Sequence, residues 1–131
     1  MEFTDILKQY IKDINDIINI GEGTEMSYRS VLEKMMKYLL PDNITILNEP
    51  KHSTYGVPDM KLYKNKDIAI SFIETKLLGD TDLKGVRQHK KQFDRYKEAL
   101  NVIAFTDFFH FLLYIDGEMK EEAQIAYIGE H

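Results

Sequence analysis

The chain has 131 residues, 44% of them hydrophobic and 30% charged, with three prolines, seven glycines and no cysteine. Those figures fit one ordinary folded domain, and they exclude disulfides, thiolate metal sites and cysteine nucleophiles. The 17 basic residues against 22 acidic ones leave a formal net charge of −5, which argues against strong nonspecific nucleic-acid binding, since that affinity comes mainly from Lys and Arg on phosphates.

Met1-Glu2-Phe3-Thr4-Asp5 lacks the basic and apolar regions of a signal peptide, and no apolar run reaches the length of a membrane span. An intracellular setting without membrane contact is the expectation, and Asn43-Ile44-Thr45 then reads as a chance match to the glycosylation triplet. Phe3, Ile6, Leu7, Tyr10, Ile14, Ile17 and Ile18 recur at three- and four-residue steps, predicting a helix over residues 1–20 that stops at Gly21. Thr24 is a good N-cap. Tyr28, Val31, Leu32, Met35 and Leu39 make the stripe of a second helix that ends before Pro41.

Ile44 to Glu49 is a short strand closed by Pro50, and the Lys51–Gly56 stretch reads as a loop. Two runs, Pro58–Tyr63 and Ile68–Lys76, flank the polar turn Lys64-Asn65-Lys66-Asp67 and read as a hairpin. The second run is apolar on both faces, as a central strand would be. A loop from Gly79 to a capping Asp82 leads to a long third helix marked by Val86, His89, Phe93, Tyr96 and Leu100. Val102–Phe105 and Phe109–Ile115 are further strands, turning at Thr106-Asp107-Phe108 and after Asp116-Gly117, and Ile125–Ile128 is a candidate edge strand. The expected fold class is α/β, a central mixed β-sheet flanked by helices.

The central run ends in Glu74-Thr75-Lys76, against its own hydrophobicity. Glu74 and Lys76, two apart, share a sheet face, and the paired run brings Asp59 to the same edge. Two carboxylates that close repel unless a cation lies between them. A Mg²⁺ held by Asp59, Glu74 and the backbone carbonyl of Thr75 would keep several waters and offer positions to a phosphate. Lys76 beside such a water is placed to stabilise the charge that grows as hydroxide attacks phosphorus. The plain alternative is a salt bridge in which Lys76 neutralises Glu74. Lys61, Lys64, Lys66, Lys84, Lys90 and Lys91 group in the middle of the chain and read first as a solvated face.

The stretch VPDMKLYKNKDIAISFIETK resembles the core of the PD-(D/E)XK nuclease superfamily, with Pro-Asp on one strand and Glu-x-Lys on the next. GTEMSYRSVLEKMMKYLLPDNITILNEPK, YGVPDMKLY, IETKLLGDTDL and KQFDRYKEALNVIAFTDFFHFLLYIDGE together resemble the amino-terminal nuclease domain of restriction-modification proteins of the type ISP and related single-chain kinds. The likeness spans residues 23–120; residues 1–20 are an added helix. The resemblance implies a restriction-endonuclease-like core with Asp59 and Glu74 as metal ligands and Lys76 as catalytic lysine. Mg²⁺ would be the cofactor, with Mn²⁺ as a substitute, and double-stranded DNA the substrate.

Glu25 matches a glutamate that lies near the metal in related nucleases, and equally fits a helix-dipole partner in the first turn of its helix. Gln92 and Tyr96 match a Gln-x-x-x-Tyr element beside the active site, sharing a helix face at i and i+4; Tyr96 also fits a plain core position. Lys51 and His52 follow Pro50 in a loop whose start resembles the family's NEPK, as DNA-backbone contacts or as a solvated loop. His89 and His110 read as partly buried histidines rather than ligands. The resemblance further implies a bacterial, cytoplasmic protein and a domain cut from a longer polypeptide carrying helicase-like and methyltransferase domains. Transient self-association for cutting both strands is a further expectation. The other readings are a non-catalytic DNA-binding or docking module that keeps the fold, and a free-standing nuclease; no sequence-reading motif is visible in the chain.

Overall fold

The computed structural model describes residues 2–48 and 57–128. Glu49, Lys51 and His52 lie outside the described residues, so the DNA-contact expectation for the loop falls there too. Helix α1, Phe3–Ile20, ends at Gly21 with φ of 78°, a left-handed position that costs glycine nothing. Helix α2, Glu25–Leu39, begins on Thr24. The Thr24 hydroxyl accepts from the Ser27 backbone N–H and the Ser27 hydroxyl accepts from that of Thr24, so two of the donors that a helix start leaves unpaired are satisfied.

The strands are β1 (Ile44–Asn48), β2 (Met60–Lys64), β3 (Ile68–Thr75), β4 (Val102–Thr106), β5 (His110–Ile115) and β6 (Glu118–Gln124), hydrogen-bonded in that order in one sheet. Every pairing is antiparallel except β3 with β4, which is parallel. A parallel pair needs a crossover, and α3, Lys90–Ala99, supplies it. The protein is therefore α/β, a mixed six-stranded sheet flanked by helices. Asn65 and Lys66, with φ of 53° and 67°, turn the β2–β3 hairpin.

Alternation along the strands divides the interior. Tyr10, Ile14, Tyr28 and Leu32 of the first two helices pack on Ile46, Met60, Leu62 and Ile73, while Phe93 and Tyr96 of α3 pack with Ile103, Phe105, Leu112 and Tyr114. In β4, Ala104 touches the first cluster while Ile103 and Phe105 belong to the second, so the clusters lie on opposite faces of the sheet. By the same parity Glu74 lies on the face of Phe72, toward α3.

Three expectations are corrected. The third helix starts at Lys90, not near Val86, which is 65% exposed. Asp82 instead organises a loop, accepting backbone N–H bonds from Val86, Arg87 and His89, and the loop buries Leu83. The edge strand is Glu118–Gln124 rather than Ile125–Ile128; all seven of its residues are exposed, so it carries no apolar pattern to read. The first half of β3 is open to solvent, because pairing with β4 starts only at Phe72.

α1 is fastened to the β4–β5 turn by a buried bond, from the Tyr10 hydroxyl to the Phe108 carbonyl at 2.7 Å. Phe108 holds φ of 80°, a costly conformation for an aromatic residue, in a turn braced by Thr106 and Asp107 side chains. Tyr10→Phe leaves that carbonyl unpaired in a dry interior and should destabilise the chain by about 1–2 kcal/mol, read as a lowered urea midpoint. An unchanged midpoint would show that water replaces the bond.

Candidate active site

Register places the site. Met60 pairs with Ile73, so Asp59, one residue before β2, falls opposite Glu74. The Asp59 backbone N–H donates to Glu74 Oε1 at 3.3 Å. Asp59 Oδ2 accepts two bonds from Thr75, one from its backbone N–H and one from its hydroxyl, each 2.8 Å. The strand end is itself held: Lys76 N–H donates to the Thr106 carbonyl at 2.9 Å, extending the β3–β4 ladder by one residue.

Lys76 Nζ lies 3.3 Å from Glu74 Oε2 and donates to Gln92 Oε1 at 2.8 Å. Its ammonium also stands 5.5 Å from the Phe93 ring centroid. Strand and crossover helix thus grip one lysine. Glu74 is 5% exposed, and burial first, then the nearby Asp59 charge, pushes its carboxyl up to about 7, although Lys76 pulls the other way. Tyr96, 3% exposed, sits in the second core, and its hydroxyl is pushed up to about 12 by burial and then by the Glu74 charge. Its ring packs in the interior rather than standing at the surface.

On the other side stands Arg29, fully buried. Its Nη1 is 3.7 Å from Asp59 Oδ1 and donates to Asn48 Oδ1 at 3.3 Å, and its Nη2 is 3.5 Å from Glu25 Oε2. Glu25 therefore sits in the first turn of α2, as its dipole reading requires, and reaches toward the site through Arg29. Asp59, Glu74, Thr75, Lys76 and Gln92 are brought together; Glu25 joins at one remove. His89 pairs with Asp80 at 2.8 Å and His110 with Glu122 at 2.6 Å, both as plain polar pairs.

Sequence reasoning missed Arg29 and Asn48. Arg29 follows Glu25 by four residues, a spacing that joins them on one helix face, and it interrupts an otherwise apolar stripe beside Tyr28 and Leu32. That was the available signal. Asn48 gave none, because a lone amide at a strand end is common.

Among the described residues no three His, Cys, Asp or Glu side chains gather as a metal cluster. The two carboxylates of Asp59 and Glu74 nevertheless suit Mg²⁺, which is usually bound by one or two carboxylates and keeps several waters. The raised Glu74 carboxyl supports that fit: burial and the Asp59 charge both oppose its ionisation, and an intervening cation would relieve both.

No family profile and no curated protein matches the chain. A solved structure does. A chain described as "cryoEM structure DrdV-DNA complex" superposes with a TM-score of 0.70 at 20% identity, over 92% of this chain and 12% of that one. The fold is shared with that protein. This chain spans only that small part of its length, and among the described residues no helix is long and apolar enough to cross a membrane.

The Glu74 carboxyl carries a pH prediction. It titrates near 7 in the folded chain and near the ordinary 4.5 when unfolded. Between those values the folded chain holds the extra proton, so the contribution of Glu74 to stability falls as pH rises from about 4.5 to about 7. Glu74→Gln should match wild type at pH 5 and exceed it at pH 8, by on the order of 2–3 kcal/mol in chelator-treated buffer. Urea unfolding at the two pH values checks this; a variant weaker than wild type at pH 8 would contradict it.

Proposed function

We propose that the chain is a Mg²⁺-dependent deoxyribonuclease unit that hydrolyses phosphodiester bonds of double-stranded DNA. The observation that carries the reading is the buried Glu74, whose carboxyl is raised by its burial and then by the adjacent, half-buried Asp59, with a lysine fixed beside it. The fold shared with a DNA-complexed protein supports it. Asp59, Glu74 and the Thr75 carbonyl would hold the ion, and Mn²⁺ would substitute. The bound ion would polarise the phosphate and ease loss of a proton from water.

The chain's own groups supply the rest. Thr75 fixes Asp59 Oδ2 by two bonds, while Oδ1 stands 3.7 Å from Arg29 Nη1. The Gln92 amide oxygen accepts a hydrogen bond from the Lys76 ammonium and so sets where its other two N–H bonds point. Hydrolysis forms one bond from water oxygen to phosphorus and breaks one bond from phosphorus to an ester oxygen, which leaves with a proton. Negative charge grows on the phosphoryl oxygens meanwhile, and the Lys76 ammonium is the group positioned to stabilise it.

With a net charge of −5, the chain has little to attract duplex DNA from a distance. Site selection and much of the affinity would come from further domains of a longer restriction-modification protein, acting through effective concentration. Such a setting is the bacterial cytoplasm, with helicase-like and methyltransferase domains as neighbours and self-association of two copies for cutting both strands. One observation favours a non-catalytic DNA-binding or docking module instead: Arg29 and Lys76 already pair both carboxylates without a metal.

Supercoiled-plasmid cleavage with Mg²⁺, Mn²⁺ or chelator decides between them. Lys76→Ala should lower the rate by about 100-fold or more, the scale of losing one charge-stabilising donor, yet still bind Mn²⁺ in calorimetry. Asp59→Ala should lose both properties. Cutting by Lys76→Ala at the wild-type rate would remove the catalytic assignment. With Ca²⁺ replacing Mg²⁺, binding of the chain to labelled duplex should be weaker than about 1 μM at moderate salt, as the few neutralised phosphates imply; tighter binding would remove the need for partner domains.

A further inference from the structure

Arg29 has no accessible surface, yet it carries a charge that a guanidinium keeps at any physiological pH. It stands between Glu25 on α2 and Asp59 at the sheet edge, 3.5 and 3.7 Å from their nearest oxygens, with Asn48 Oδ1 at 3.3 Å. Those ionic distances exceed the 2.7–2.9 Å or so of tight charge-assisted bonds. Its Nε has no hydrogen-bond partner among the described residues. The guanidinium thus straddles two carboxylates rather than clamping one.

A buried cation is kept only where anions surround it, and it fills the space it neutralises. A metal ion between Glu25 and Asp59 would meet that fixed, buried positive charge at contact range. Lys76 stands on the opposite flank, against Glu74. Among the described residues, Glu25, Asp59 and Glu74 with Arg29 and Lys76 leave a single formal negative charge. One divalent ion turns that into a single positive charge, suited to a phosphate, whereas a second would leave an excess of three beside a fully buried guanidinium.

We infer that Arg29 occupies the Glu25–Asp59 side of the site as a built-in cation, so that the centre takes one divalent ion, bounded by Asp59 and Glu74. Glu25 is then the counter-ion of Arg29 and not a metal ligand. The inference rests on the metal-dependent reading above and adds to it the number of ions and the role of Glu25.

Calorimetric titration of the chain with Mn²⁺, read beside its electron paramagnetic resonance spectrum, tests both parts. One Mn²⁺ per chain is expected, with the spectrum of an isolated ion. Glu25→Gln, which keeps an oxygen acceptor for Arg29, should hold Mn²⁺ within about tenfold of wild type, the lesser effect of a group outside the ligands, while Glu74→Gln loses more than about 100-fold. Two ions per chain with a spin-coupled spectrum, or equal losses in the two variants, would overturn the inference and leave the nuclease reading standing. A wild-type chain that takes up no Mn²⁺ would remove both. Circular dichroism on each variant keeps a folding failure from passing as a lost ligand, and the wild-type stoichiometry decides the ion count without any variant.

Discussion

Asp59 and Glu74 are two carboxylates that the β2–β3 register sets against each other at the edge of a closed interior, where neither burial nor charge favours them. Ionised together they repel, and only adjacent cations or a bound ion make the arrangement tolerable. The surrounding structure can be read as a set of answers to that problem. Thr75 donates twice to Asp59, the Asp59 N–H donates to Glu74, Lys76 stands against Glu74 and Arg29 against Asp59. Burial and the Asp59 charge raise the Glu74 carboxyl, although Lys76 and the Asp59 N–H pull the other way.

The scaffold delivers these groups from separate parts of the chain. The β2–β3 hairpin sets the carboxylates, the parallel β3–β4 pairing carries the strand one step further to Lys76, and the crossover that a parallel pairing requires returns α3 with Gln92 and Phe93 beneath that lysine. α2 brings Glu25 and Arg29 from the other side. Both helix layers therefore contribute to one edge. A shift of one residue in the β2–β3 register would turn Glu74 to the other face and separate the set.

Much of this was legible because it follows short-range rules. Helical spacing gave α1 and α2, Thr24 marked a start, and a polar turn between apolar runs gave the hairpin; strand alternation then put Glu74 and Lys76 on one face. The parts that stayed hidden depend on distant partners. Arg29 is defined by Asp59, thirty residues away, and nothing local marks it apart from Glu25 four residues before. β6 is a strand only because β5 offers it a hydrogen-bonding edge, so its charged sequence shows no period. Residues 81–89 carry a helix-like spacing, but the Asp82 carboxylate competes for their backbone N–H groups and holds a loop instead.

The central claim is that the Asp59–Glu74 pair is poised for a divalent cation, and the carboxyl carbon of Glu74 reports on it directly. A ¹³C-NMR titration of that carboxyl, without and with saturating Mg²⁺, separates a site awaiting an ion from a closed salt bridge. The account predicts a midpoint near 7 in the ion-free chain, moving below the ordinary carboxylate value when Mg²⁺ is present. A midpoint that stays in place at saturating Mg²⁺ would contradict it.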